Sequence, residues 1–360
     1  MVIKNRAQTA VEIAVLLFFF LATTGCFPRV RVVEGADFLS KSLFYSSAKM
    51  KRITHIEEVS LCPPSKPAIV IYDTCSMHVL ESESLALKQE VSFENYSMLK
   101  PSLRVKSCND FEIIDHGGGF GDVGILDQYG KPIWRYHPPK TQIYDMAAGD
   151  LNKDGELEFY VATWSGLDQL NSKGQKVWRM GDKVWNVVSL DFSKNSVPLV
   201  VTVLDDEHME FRNFEGKLVK RIKPDVTLED LEPCDWPSAG NLLTSSRDSI
   251  YVLDQNGKTV FRHKLGQIIG ITDNEIYRIR GTSVKLFEKQ PVYFAVLADF
   301  SYRSNRSALC VFSPEGKLVY KEIVPSTTGI AAIPAFASSK AEVLLVGGGP
   351  GKVYKYQVAK

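Results

Sequence analysis

The chain lacks an excess of charge of either sign. Lys and Arg total 43 against 42 Asp and Glu in 360 residues, a net charge of +1. No basic tract breaks that balance, so an electrostatic footprint for nucleic acid is missing. Apolar runs long enough to cross a bilayer are missing too. The run from Ile13 to Ala22 has ten residues, about 15 Å as a helix and half the hydrocarbon core. No Cys-x-x-Cys occurs, which removes the main support for zinc-ribbon, thioredoxin-like and c-type haem readings. Neither a G-x-S-x-G elbow, an H-E-x-x-H pair nor a phosphate loop is present. No long stretch shows helical periodicity with caps at both ends. What remains is ordinary globular composition, 44% hydrophobic and 24% charged, which is incompatible with disorder over most of the length.

The first 26 residues read as an address. Lys4 and Arg6 precede the apolar run, which ends in Ala22-Thr23-Thr24-Gly25-Cys26. A short apolar stretch behind positive charge is a signal-peptide pattern. Small residues before a Cys resemble a bacterial lipobox, with Thr23 where such boxes usually carry Leu. The resemblance implies a signal peptide over residues 1–25 and lipidation at Cys26, and several acyl chains there hold a protein on a membrane. An ordinary secretory signal and an uncleaved anchor are the alternatives. Cleavage before Cys26 leaves 41 bases and 41 acids. The expected location is the bacterial cell envelope, lipid-anchored and facing periplasm or exterior. An oxidising compartment permits disulfides, and Cys62, Cys75 and Cys108 cluster as candidates.

Internal repetition decides the fold. Leu126-Asp127-Gln128-Tyr129-Gly130-Lys131-Pro132-Ile133-Trp134-Arg135 matches Leu253 to Arg262, and related copies run Leu170 to Arg179, Arg212 to Arg221 and Phe312 to Lys321. Each reads as a β-hairpin in which Gly takes the positive φ of a tight turn. A base ends each copy, expected where an outer strand meets water. The glycines fall at 130, 174, 216, 257 and 316. Spacings of 41 to 44 are the length of one four-stranded propeller blade. The wider last gap points to one insertion or one degenerate stretch around Arg278 to Gln290. Val79 to Glu90 is a weakened copy with Ser84 in the Gly place. Short apolar runs between the hairpins, Ala68 to Tyr72, Phe159 to Trp164, Leu199 to Leu204, Tyr293 to Leu297 and Val343 to Val346, suit strands buried on both faces. The predicted fold is therefore all-β: a single β-propeller of about seven four-stranded blades within residues 26–360, six being the alternative. Arg29 to Val33 is expected to close the ring.

One acidic loop, Asp150-Leu151-Asn152-Lys153-Asp154-Gly155-Glu156-Leu157-Glu158, spaces oxygen side chains so that they can converge on a hard cation. An EF-hand would need an acid at its twelfth position, where Val161 stands. Ala148 to Val161 resembles an FG-GAP or VCBS-type repeat of integrin-α-like propellers. The resemblance implies Ca²⁺ in this loop. Asp150, Asn152 and Asp154 would give side-chain oxygens, Glu156 its carbonyl and Glu158 a carboxylate. An Asx-rich turn without metal is the plain alternative.

The remaining polar features read as structural. Gly117 to Gly121 is a site of tight turning, His116 a lone histidine beside it, and Asp205 to His208 a solvated hairpin tip. Trp134 and Trp178 share a repeat position and suit blade packing. Trp164, Trp185 and Trp236 stand outside it and are candidates for a channel lining or sugar platform. The functional expectation is a membrane-anchored binding or scaffold module for an envelope protein or glycan. The alternative is an envelope enzyme on the same scaffold, a polysaccharide lyase or quinoprotein-type dehydrogenase. Fold alone does not choose between them.

Overall fold

A computed structural model describes residues 33–359 except 36, 62–66, 94–100, 109, 117–120, 191–198, 205–206, 235, 237–241, 267–274, 301–304 and 335–340. Cys26 and the apolar segment before it therefore lie outside the described residues. The structure is all-β, with strands grouped in seven antiparallel sheets.

Two strands precede the first complete blade, β1 (Val33–Glu34) and β2 (Leu39–Ser46). Blade 1 holds β3 (Ile53–Val59), β4 (Ala68–Asp73), β5 (Ser76–Glu81) and β6 (Leu87–Ser92). Blade 2 holds β7 (Ser102–Ser107), β8 (Asp110–Asp115), β9 (Val123–Leu126) and β10 (Pro132–Tyr136). Blade 3 holds β11 (Ile143–Gly149), β12 (Glu158–Thr163), β13 (Gly166–Leu170) and β14 (Lys176–Met180). Blade 4 holds β15 (Asn186–Leu190), β16 (Leu199–Val203), β17 (Met209–Arg212) and β18 (Leu218–Ile222). Blade 5 holds β19 (Leu231–Pro233), β20 (Leu242–Ser246), β21 (Ser249–Leu253) and β22 (Thr259–Lys264). Blade 6 holds β23 (Ile276–Val284), β24 (Tyr293–Phe300), β25 (Arg306–Phe312) and β26 (Leu318–Pro325). Blade 7 holds β27 (Ile330–Pro334), β28 (Glu342–Gly347) and β29 (Lys352–Val358).

The ring closes differently from the sequence expectation. β2 pairs with β29 from Leu39↔Val358 to Ser46↔Lys352 and becomes the outer strand of blade 7. β1 pairs instead with β26 as a fifth strand of blade 6. Joining strands from both ends of the propeller removes the open edges a linear stack of sheets would leave. The stretch expected as an insertion before Gly316 begins inside a regular blade strand. Arg278 to Val284 belongs to β23, an inner strand, and blade 6 has longer strands than its neighbours.

The apolar runs fall on the second strands, whose residues are buried almost throughout. The hairpin turns repeat in detail. In all five copies the Gly N–H donates to the carbonyl three residues earlier: Asp127, Asn171, Asn213, Asp254 and Ser313. The side chain of that same residue accepts from the amide after the Gly. The five φ values lie between 73° and 81°. In the weakened copy the positive φ, 57°, falls on Leu85 and not on Ser84.

Glycine does a second job in these turns. A Cβ on Gly174 would lie 2.5 Å from the Trp134 ring, and one on Gly216 2.8 Å from Trp178. The outer-strand aromatic of one blade thus lies on the bare turn of the next. Trp134 Nε1–H donates to Ser172 O at 3.0 Å and Trp178 Nε1–H to Phe214 O at 3.2 Å. The blade-packing reading of both tryptophans holds. The β-branched residues just before that repeat position, Ile133, Val177, Val219 and Val260, face solvent, so they serve strand propensity rather than burial. The bases that end the copies are less free than expected. Arg135 pairs with Asp115, Arg179 with Asp168, Arg221 with Glu210, and Lys321 donates to Leu265 O.

Candidate functional site

The acidic loop joins the first two strands of blade 3, β11 and β12. Its side chains wrap its own backbone. Asp154 N–H donates to Asp150 Oδ1 at 3.0 Å and to Asn152 Oδ1 at 2.9 Å. Gly155 N–H reaches Asp150 Oδ2, and Glu156 N–H reaches Asp154 Oδ1. Gly155, at φ 89°, and Lys153, at φ 61°, give the loop its curl. Glu158 opens β12 and accepts Leu151 N–H at 2.9 Å. Burial raises the Glu158 pKa above the ordinary carboxylate value, with the charges of Asp154 and Asp150 adding to the effect.

These donors are oxygens throughout, which suits a hard cation. Three acids of the set act on one another electrostatically, so a cation among them would relieve that repulsion. No three His, Cys, Asp or Glu side chains are gathered as a metal cluster among the described residues. The same hydrogen bonds also make a self-sufficient Asx-rich turn. Glu156 turns its side chain toward a neighbour instead: Arg104 of β7 lies 3.7 Å from its carboxylate and 3.3 Å from Gly155 O. This cross-blade cation was not marked by any local sequence pattern.

A concavity lies along the inner strands. A cavity of about 410 Å³ is lined from five blades, with Leu103, Met146 and Val187 among its apolar walls and His55, Arg104, His116 and Glu232 among its polar ones. His116 reaches it from the end of β8 and is buried. Around it the inner strands are tied blade to blade by carboxylates. Glu57 accepts Leu103 N–H, Asp145 accepts Val187 N–H, and Asp230 accepts Ile279 N–H. Arg280 pairs with both Glu232 and Asp230, and all three are buried. Arg52, just before β3 of blade 1, pairs with Asp299 on β24 of blade 6, past the intervening blade 7. Glu57 also accepts the Tyr72 hydroxyl. Burial nevertheless pushes its pKa up to about 7, against those two bonds.

The other candidates divide. Leu204 N–H bonds His208 O and Glu207 pairs with Lys223 at 2.6 Å, in keeping with a hairpin tip; Asp205 and Asp206 lie outside the described residues. Gly117 to Phe120 lie outside them too. Trp236 is buried beside Phe261 and Phe294, so it is core and not a platform. Trp164 and Trp185 do come together, 6.2 Å apart. Cys108 is disulfide-bonded, whereas Cys75, Cys234 and Cys310 are thiols outside any disulfide.

No protein-family profile and no curated protein matches the chain. Solved structures do match its fold. A crystal structure of BBS1N in complex with ARL6DN, soaked with mercury, superposes with a TM-score of 0.58 at 13% identity, covering 89% of this chain and 97% of that one. The lead-soaked form gives 0.56 at 14%, covering 89% and 95%. At that identity the likeness shows the propeller fold. As many as 843 solved chains match, so fold by itself selects no function.

Proposed function

We propose that the chain is a binding module of the bacterial cell envelope, held to a membrane through lipid on Cys26. Its partner is an envelope protein or glycan, bound at the central cavity. The observation that carries this reading is the cavity itself, walled by inner strands of five blades and mixing apolar surface with a few charged groups. That is the usual make-up of a recognition site on a rigid scaffold. The matching BBS1N propeller was crystallised with a protein partner, which agrees with a protein ligand here. In the same reading Ala148 to Val161 is an FG-GAP-like repeat. Its Asp150, Asn152, Asp154, Glu156 and Glu158 hold Ca²⁺, which stiffens blade 3 beside the cavity.

Tryptophan at Ser102 and at Pro233, on different walls of the cavity, tests the site. Cross-linking in envelope membranes should yield one defined adduct with the natural chain. Both variants should lose it while keeping the β-sheet spectrum. An adduct that persists in both removes the cavity as the site. A second reading, the lyase, is favoured by Arg104, a cation beside the acidic loop that also lines the cavity. Turnover of an envelope polysaccharide by the purified protein, lost in Arg104→Ala, would establish it.

A further inference from the structure

Three aromatic side chains from separate segments converge on one ammonium at the edge shared by blades 3 and 4. Trp164 lies in the turn between β12 and β13, Trp185 in the connection from β14 to β15, and Tyr144 near the start of β11. The two indoles stand at 81° to each other, and Tyr144 sits 4.5 Å from Trp185 and 6.3 Å from Trp164. Lys183 Nζ lies 3.5 Å over the Trp164 ring, 3.6 Å over Trp185 and 5.9 Å from Tyr144. Lys183 forms no ion pair with a carboxylate among the described residues. Ring faces alone hold its charge, by attraction to the negative π surface.

The walls of this cage are tied down by backbone hydrogen bonds, and its occupant is the end of a long side chain. Trp164 N–H donates to Gln142 O, Val184 N–H to Thr163 O and Trp185 N–H to Val203 O. Those bonds pin the backbone beneath both indoles. Lys183 enters on a four-carbon stem, next to the exposed Gly181 and Asp182. Nothing lies within 4 Å of where a Cβ on Gly181 would be, so there is open space beside the connection. Trp164 is 57% exposed, which leaves the cage reachable from solvent.

A primary ammonium is compact and strongly hydrated, and it gives up water to sit between rings. A methylated ammonium is larger and more weakly hydrated, and it meets three ring faces at once. Aromatic cages select such groups for that reason. We propose that Trp164, Trp185 and Tyr144 form a binding site for a quaternary ammonium group of the choline type, with Lys183 as its internal plug. The group is the same whether it is carried by a soluble choline compound or by a phosphatidylcholine headgroup. The cage shares no residue with the central cavity, so this site and the partner site stand or fall separately.

Tryptophan fluorescence titrated with choline chloride, against sodium chloride at equal ionic strength, tests the proposal. Wild type should show a saturable change. Lys183→Ala should bind roughly two- to fivefold tighter, the worth of one exposed cation–π contact. Trp164→Ala should lose the response and Trp164→Phe should keep part of it, with far-ultraviolet dichroism confirming the fold of each. Sedimentation with phosphatidylcholine vesicles but not with phosphatidylglycerol vesicles would assign the lipid headgroup. Response to choline without vesicle binding would assign a soluble ligand. No saturable response in either wild type or Lys183→Ala, or an unchanged response in Trp164→Ala, overturns the proposal.

Discussion

The outer hairpin turns and the inner strands of this propeller are built on opposite principles. Each outer turn is solved within five residues, by one Gly at positive φ and one Asp, Asn or Ser that bonds two places along its own backbone. The solution is copied from blade to blade. The inner strands are solved by pairs far apart in sequence: Glu57 with Leu103, Arg280 with Glu232, Arg52 with Asp299. Two of those pairs are arginine–carboxylate and one is a carboxylate on a backbone amide. Local chemistry therefore sets where blades begin and end, and long-range polar contacts set how one particular blade meets the next.

The largest break in that contrast should come from the inner side. Arg280→Ala takes the buried counter-charge away from Glu232 and Asp230, and removing one partner of a buried pair costs about 3–5 kcal/mol. Urea unfolding should show that loss, and the double change with Glu232→Gln should recover part of it. Gly174→Val attacks an outer turn through both of its demands, the positive φ and the contact with Trp134. Left-handed strain and overpacking together cost roughly 3 kcal/mol. The same change at Gly155, whose Cβ would meet nothing within 4 Å, should cost only the backbone share.

The acidic loop is local in the same way as the outer turns, and calcium sharpens the point. Ca²⁺ bound to the folded state alone should stabilise it by about 2.7 kcal/mol at a hundredfold excess over the dissociation constant. Asp154→Ala should erase that increment in a thermal melt. Equal melting of the natural chain with Ca²⁺ and with chelator would leave the loop as a metal-free turn. Asn171→Ala removes the side-chain bonds to Lys173 N–H, Gln175 N–H and Gln175 Oε1 from an exposed turn and should cost about 1 kcal/mol.

The effect of pH carries a definite sign. Glu57 has a folded pKa of about 7 against an ordinary value of 4.5. A raised carboxylate pKa means the folded state holds the proton more tightly. Its contribution is therefore complete below about pH 4.5 and is lost as pH rises through about 7. Glu57→Gln should flatten stability between those limits. The variant should gain on wild type at about pH 8, measured by urea midpoints across the range.

What could be read in the sequence follows this division. The blade repeat, the buried second strands and the turn glycines were legible because each depends on neighbours within one hairpin. Leu39 to Ser46 gave no sign of being the outer strand of blade 7, since its partner Lys352 to Val358 lies at the other end of the chain. Arg278 to Val284 looked like an insertion because blade 6 lengthens its strands, which breaks the period without adding an element. Arg104 reaches the acidic loop from the preceding blade, so no spacing rule connects them. Trp164 and Trp185 were visible as tryptophans outside the repeat. Their meeting around Lys183 depends on two connections folding to one edge.

Recognition at the central cavity is the claim on which the proposed function depends. A photo-cross-linking residue at Ser102, compared with one at the solvent-facing Val177 of β14, measures this directly. The account predicts one discrete envelope adduct from position 102 and none of that mass from position 177. Adducts of equal yield at both positions, or at 177 alone, would contradict it.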